Sequence, residues 1–254
     1  MTTVADVLAY LNTLAPQELT MDWDNTGLLV GDAQGPVEKI LVALDPFEGV
    51  CQEAAQWGAQ LIVTHHPMIF RPLKAVTSQT ATGRSIQLLC REGISAINAH
   101  TNLDCAPGGV NDVLAQVLGL SEVAVIGSEN LLRMGRYEAD LPAFLAHVKQ
   151  TLGCPVLRYV DGGRPVRRVA VGGGACGSEL MEALSAGCDT FVTADVKYNQ
   201  FWDAQDLGIN LIDAGHFYTE NPVTALLAEK LAGKFPEIQV KLSESHRDCM
   251  KFFG

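Results

Sequence analysis

Two stretches of this chain follow the same plan, and that repetition constrains the fold more than any other feature. KILVALD (39–45) leads through a helical segment to GAQLIVTHH (58–66), and RRVAVGGG (167–174) leads through another to GCDTFVTAD (187–195). Lys39 and Arg168, Gly58 and Gly187, and Thr64 and Thr193 are each 129 residues apart. A third pair, GISAINAHTNLD (93–104) and GINLIDAGHFYTE (208–220), is offset by 115. The difference of 14 is extra sequence in the first copy, around MIFRPLKAVTSQ. Each unit reads strand, helix, strand, helix, strand. The strands are continuous apolar runs with β-branched residues, bounded by glycine and polar turns, as in sheets covered by helices on both faces. The chain therefore reads as an α/β protein of two similar three-layer α/β domains, 1–128 and 129–254, related by internal duplication. The C-terminal segment is expected to pack back on the first.

Outside the repeats, Val4, Val7, Leu8 and Leu11 recur at helical spacing until Pro16 ends the pattern. Residues 132–160 add RMGRYE, the helical LPAFLAHVKQTLG and PVLRYV, an extra βαβ-like piece attached to the second unit.

Composition narrows the partners. The net charge of -11, from 18 Lys and Arg against 29 Asp and Glu, disfavours a nucleic-acid backbone. Seven cysteines with no CxxC spacing argue for a reducing compartment and against a disulfide framework or a zinc finger. Most, Cys105 included, suit small buried apolar positions. The N-terminus lacks a signal-peptide pattern and no apolar run has the length of a membrane span, so a cytoplasmic protein without membrane contact is expected.

The chemistry collects where strands end, the place where open α/β sheets bind ligands. LIVT runs into His65 and His66, SAINA into His100, Asn102 and Asp104, and NLIDA into His216, with Glu220 four residues on. These four are among six histidines in the chain; His147 and His246 read as surface or structural. Singly, each site residue has a plain reading: a hydrogen-bonded loop histidine, a helix cap at Asp104, a favourable helix dipole at Glu220. Together, at matched strand ends of two units, they favour metal. Imidazole with carboxylate suits Zn, Fe, Mn, Ni or Co. Adjacent residues of an extended chain point apart, so His65 and His66 are better placed to reach two ions than to chelate one. A carboxylate such as Glu220 can bridge such a pair. Two divalent ions per subunit are thus expected on His65, His66, Asp104, His216 and Glu220, in a cleft between the domains.

His100 is expected to orient a ligand or a water, and His100, Asp195 or Asp45 to handle protons. His100 and Asp195 are the catalytic candidates. Glu220 lies just before the helix opened by Asn221 and Pro222, which biases it to extended backbone and leaves His216 and Glu220 on a loop. Asp22, Trp23, Asp24 and Asn25 form a polar loop that lines the cleft or simply turns. VGGGACG (171–177) offers an anion cradle at a helix N-terminus, without the GxGxxG order or the Walker lysine.

WDNTGLLVG (23–31), VTHHPMIF (63–70), AHTNLDCAPGGVND (99–112) and DAGHFYTE (213–220) occur in order across nearly the whole chain. In this combination they resemble the GTP cyclohydrolase I type 2 homologues, also described as Nif-three-like dinuclear metal proteins. The resemblance implies metal ligands at His65, His66, Asp104, His216 and Glu220, and a ring-shaped homohexamer with its sites facing an internal cavity. It also implies a metal-dependent hydrolase acting on a nucleotide-like or other small phosphorylated or heterocyclic substrate. The alternative is a non-enzymatic metal-handling or partner-binding ring. Two departures stand out. Ala194 replaces a glycine often found before the aspartate, and Asn199 replaces a frequent histidine; both spare the five ligand positions.

Overall fold

In the computed structural model, which describes residues 1–253, helix α1 (Val4–Leu14) opens on a capping box. The Thr3 hydroxyl accepts from the Asp6 amide while the Asp6 carboxylate accepts from the Thr3 amide. Its buried side is Val4, Val7 and Leu11. There follow β1 (Gly27–Val30), β2 (Lys39–Ala43), α2 (Glu48–Trp57), β3 (Leu61–Thr64), α3 (Ala81–Glu92), β4 (Ser95–Asn98) and the five-residue α4 (Thr101–Cys105). The middle of the chain forms α5 (Val110–Val117), β5 (Ser121–Ile126), β6 (Leu132–Ala139), α6 (Leu141–Leu152), β7 (Arg158–Val160), β8 (Val166–Val171), α7 (Leu180–Ser185), β9 (Thr190–Thr193), α8 (Tyr198–Leu207), β10 (Asn210–Asp213) and α9 (His216–Glu220). The chain closes with α10 (Pro222–Lys234) and β11 (Gln239–Leu242).

Met1–Ala106 and Thr224–Asp248 make one compact unit; Pro107–Val223 and the chain from Cys249 make the other. The last helix, from Thr224 on, and the last strand therefore belong to the first unit, where β11 pairs in parallel with β2.

The first sheet has the order β1-β4-β3-β2-β11 and the second β5-β6-β8-β9-β10-β7. Each contains three parallel strands whose register repeats. Ile40, Leu41 and Val42 face Leu61, Ile62 and Val63, while Val169, Ala170 and Val171 face Thr190, Phe191 and Val192, every residue moved by 129. Leu61–Thr64 face Ser95–Asn98, and Thr190–Thr193 face Asn210–Asp213, the partner strand now moved by 115. The sequence offsets are thus offsets of hydrogen-bond register. The extra 14 residues also have a place. Residues 65–80 between β3 and α3 number 16 against 4 for 194–197, and α3 has 12 residues against 10 in α8.

The edges differ. An antiparallel strand covers β4 (β1) and β10 (β7), but β2 carries parallel β11 whereas β8 carries antiparallel β6. The βαβ-like reading of 132–160 is therefore corrected: β6 and β7 do not pair with each other and flank opposite sides of the parallel strands. Strand β5, paired with β6, escaped the sequence reading because every residue but the half-buried Ile126 is exposed.

Strands β3, β4, β9 and β10 are buried at every position. In the second unit alternate residues feed two cores. Val169, Val171, Val192 and Ile212 pack with Phe144 and Val148 of α6, while Ala170, Phe191 and Leu211 pack with Leu180 of α7 and Ala204 of α8. Each fully buried large aliphatic residue contributes roughly 1.5–3 kcal/mol before chain entropy is counted. All seven cysteines are free thiols, and Cys51, Cys105, Cys154, Cys176 and Cys188 are buried. Among the described residues no helix is long and apolar enough to cross a membrane.

Candidate metal centre

Strand β3 lies between β2 and β4, and the two residues after it turn to opposite neighbours. His65 is fully buried, with Nδ1 2.9 Å from the Ala99 carbonyl just past β4. His66 points Nδ1 at Asp45 Oδ1, just past β2, at 2.7 Å. The other two strand-end histidines are held alike: His100 Nδ1 lies 2.8 Å from Asp24 Oδ1, and His216 Nδ1 lies 2.8 Å from Asp195 Oδ2. A carbonyl or carboxylate oxygen can only accept, so each Nδ1 carries a hydrogen and each ring turns its Nε2 edge away from that anchor. Ligating histidines are oriented in this way by a carbonyl or carboxylate behind the ring.

In the first unit the donor atoms of His65, His66 and His100 lie within 4.8 Å of one another. Asp104 Oδ1 is 3.5 Å from His65 Nε2. The His100 ring thus stands beside those of His65 and His66. The carboxylates behind them stay ionised. Burial raises the Asp24 carboxyl, but hydrogen bonds from His100 and Thr101 outweigh it and hold the group well below the usual range. Burial likewise raises Asp45, and hydrogen bonds with His246 and His66 outweigh it.

In the second unit His216 and Glu220 stand at the first and last positions of α9, one helical turn apart, with Nε2 and Oε2 2.9 Å from each other. This corrects the extended loop read from the sequence. The pre-proline restriction falls on Asn221, not on Glu220, and even Asn221 is helical (φ -54, ψ -29). Pro222 opens α10, where the missing donor costs nothing.

The glycine loop after β8 also differs from its sequence reading. The anion it accommodates is Glu220. A Cβ on Gly174 would lie 2.1 Å from Glu220 Oε1 and 3.1 Å from His216 Nε2. The Gly174 amide donates to Thr219 Oγ1 and the Gly173 amide to Asn111 Oδ1. By the offset of 129, Gly174 answers to Asp45 and Asp195 to His66. The first unit puts an orienting carboxylate and then the histidine it orients at these places; the second puts room for Glu220 and then an orienting carboxylate. Asp195 holds φ +50, a left-handed conformation that costs a non-glycine residue on the order of 1 kcal/mol or more.

His246, read as surface or structural, has its side chain enclosed and lies 3.0 Å from Asp45 Oδ2, so Asp45 bridges His246 and His66. Glu53 of α2 clamps the segment that carries it. It accepts from Ser243 Oγ at 2.6 Å and from the amides of Glu244 and Ser245 at 3.1 and 2.9 Å. No local signal reveals this link, since 201 residues separate His246 from Asp45. Burial raises the Glu53 carboxyl, but these hydrogen bonds outweigh it and bring it from 4.5 down to about 2. The folded value lies below the unfolded one, so the clamp's contribution is present above about pH 4.5 and lost as pH falls toward about 2. Glu53→Gln is expected to strip hydrogen-exchange protection from the Glu244 and Ser245 amides at neutral pH, as acid does in the unaltered protein. Full protection in the variant would show that the segment is held by something else.

His147 bonds the Leu118 carbonyl at 3.0 Å and stacks on Tyr137, a structural role. Asn199 is exposed on α8 and lines a groove of about 430 Å³ with Gly177, Met181 and Leu207.

Two α/β units with repeated register, carrying histidines oriented to donate through Nε2, define a duplicated α/β protein able to hold metal. The chain belongs to the Duf34/NIF3 (NGG1p interacting factor 3) family, whose model matches residues 2–249. It is 32% identical to a GTP cyclohydrolase 1 type 2 homolog of Clostridium perfringens over 97% of this chain and 98% of that one. It is also 32% identical to a GTP cyclohydrolase 1 type 2 of Helicobacter pylori, over 91% and 92% of the two chains. Among solved structures, a Bacillus cereus protein related to NIF3 matches with a TM-score of 0.92 at 26% identity, covering 100% of this chain and 99% of that one.

Proposed function

We propose that His65, His66, Asp104, His216 and Glu220 are ligands to two divalent metal ions, and that the protein hydrolyses a nucleotide-like or other small phosphorylated or heterocyclic substrate. The observation that carries this reading is the uniform anchoring of four strand-end histidines through Nδ1. The donor set of imidazole and carboxylate fits Zn, Fe, Mn, Co or Ni. The printed names of the relatives support the substrate class. When bound, such ions supply Lewis acidity and lower the pKa of water.

The chain's own residues do the rest. Ala99, Asp45 and Asp195 keep the Nε2 atoms of His65, His66 and His216 aimed as donors. His100, backed by ionised Asp24, can accept a proton at Nε2. Asp195 is half exposed and can accept one at the oxygen facing away from His216. Asp45 is engaged by two histidines and serves to orient them.

Hydrolysis of a nucleotide panel by protein loaded with each metal in turn tests the reading. Turnover should fall at least a hundredfold in the double variant His65→Ala, Glu220→Ala. Equal turnover in both proteins would remove the assignment. Exchangeable metal without any turnover would favour the metal-handling alternative. A cytoplasmic homohexamer that leaves nucleic acid and membranes alone belongs to the same reading, and light scattering against the 27.3 kDa chain mass tests the hexamer.

A further inference from the structure

The WDN segment does more than hold His100. Asp24, its side chain fully buried, accepts from His100 Nδ1 and from the Thr101 amide and hydroxyl. Asn25 Nδ2 donates to the Ile69 carbonyl at 2.5 Å, and Asn98 Nδ2 donates to the Asn25 carbonyl at 3.1 Å. These bonds pin the loop to the segments that follow β3 and β4. Yet Trp23 is 61% exposed, and Phe70, next to Ile69, is 43% exposed. Their rings meet edge to face with centroids 6.0 Å apart, and each lies edge-on to His100 at 6.4 and 6.1 Å. The Arg71 guanidinium carbon is 5.9 Å from the Phe70 ring centre.

A fold has no packing use for two large rings held in water by buried hydrogen bonds. A ligand does, because the cost of ordering them is already met. Phe70 and Arg71 also lie in the insertion that the second unit lacks. We propose that Trp23 and Phe70 form an aromatic rim that stacks the flat face of a heterocyclic ring, with Arg71 beside it for the ligand's anionic group. The proposal rests on the reading of the neighbouring His65 and His66 as part of a metal centre for nucleotide-like substrates and names the part that recognises the base. Contact of both rings with His100 favours a small ring over a peptide, since a single heterocycle spans the distance from rim to donor atoms.

Calorimetry on the metal-loaded full chain tests it with guanosine 5′-monophosphate and with ribose 5-phosphate as the ring-less control. The unaltered protein should prefer the nucleotide by about tenfold or more, the size of one stacked base. Trp23→Ala and Phe70→Ala should each erase most of that ratio, and Trp23→Phe should restore it, with metal content unchanged throughout. Arg71→Ala should weaken both compounds and leave the ratio alone. A ratio near one in the unaltered protein, or a ratio intact in both alanine variants, overturns the proposal. So does a preference lost only together with the metal, because the rings would then merely pack His100. Turnover is not the readout: nucleotide preference without hydrolysis supports the rim and removes the hydrolase, and hydrolysis indifferent to Trp23→Ala and Phe70→Ala does the reverse.

Discussion

Protein carrying His216→Ala is expected to lose more than a hundredfold in affinity for Zn²⁺. Removing the carboxylate behind a ligand typically costs 10–100-fold, and removing the ligand itself costs more. His216 also faces Glu220 at 2.9 Å, so its loss disturbs a second donor. Its side chain is about one-third exposed, and the fold should survive the change. His65→Ala is the reciprocal experiment. Titration against a competing chelator, with elemental analysis, reads both. Unchanged Zn²⁺ affinity and stoichiometry in His216→Ala would remove His216 from the proposed metal ligands.

Gly174→Ala should damage the metal site far more than the fold. The backbone there has φ +64, which costs alanine on the order of 1 kcal/mol. The new Cβ would stand 2.1 Å from Glu220 Oε1. That atom ends a flexible side chain and can retreat, but only by leaving His216. Metal affinity is therefore expected to fall ten- to a hundredfold, in the range seen when a ligand is misplaced. Gly153→Ala is the control, since φ is +67 and nothing lies within 4 Å of the added carbon. Both variants should melt slightly early, and Gly174→Ala alone should release metal. Equal affinity in the two would refute the role of the glycine loop.

Which parts of this were legible follows from how strongly each residue's neighbours are encoded nearby. Strands covered on both faces have apolar, β-branched-rich centres, so LIVT, TFVT, SAIN and NLID stand out although Thr64, Ser95, Asn98, Thr190, Thr193, Asn210 and Asp213 are buried with them, and duplication preserved their spacing down to the register. Strand β5 sits exposed and carries no such pattern. Helix α9 leaves no signature in the sequence, because the residue before Pro222 is Asn221 rather than Glu220 and five residues are too few to show a helical period. The strand-end histidines were visible as a set. Their partners are only partly so: Asp45 and Asp195 stand out as acidic residues at strand ends, whereas Asp24 reads equally as lining the cleft or as a plain turn, and His246 as surface or structural.

Periodicity, glycine placement and the two offsets by themselves determine a duplicated α/β chain with histidines and carboxylates at its strand ends. Tertiary structure alone decides which ring nitrogen each histidine offers. It also decides that His246 reaches Asp45 across 201 residues, and that Trp23 and Phe70 meet beside His100. The reason is physical. A strand's burial is written in its own residues, whereas a hydrogen bond that orients a ring depends on a partner brought close only by folding.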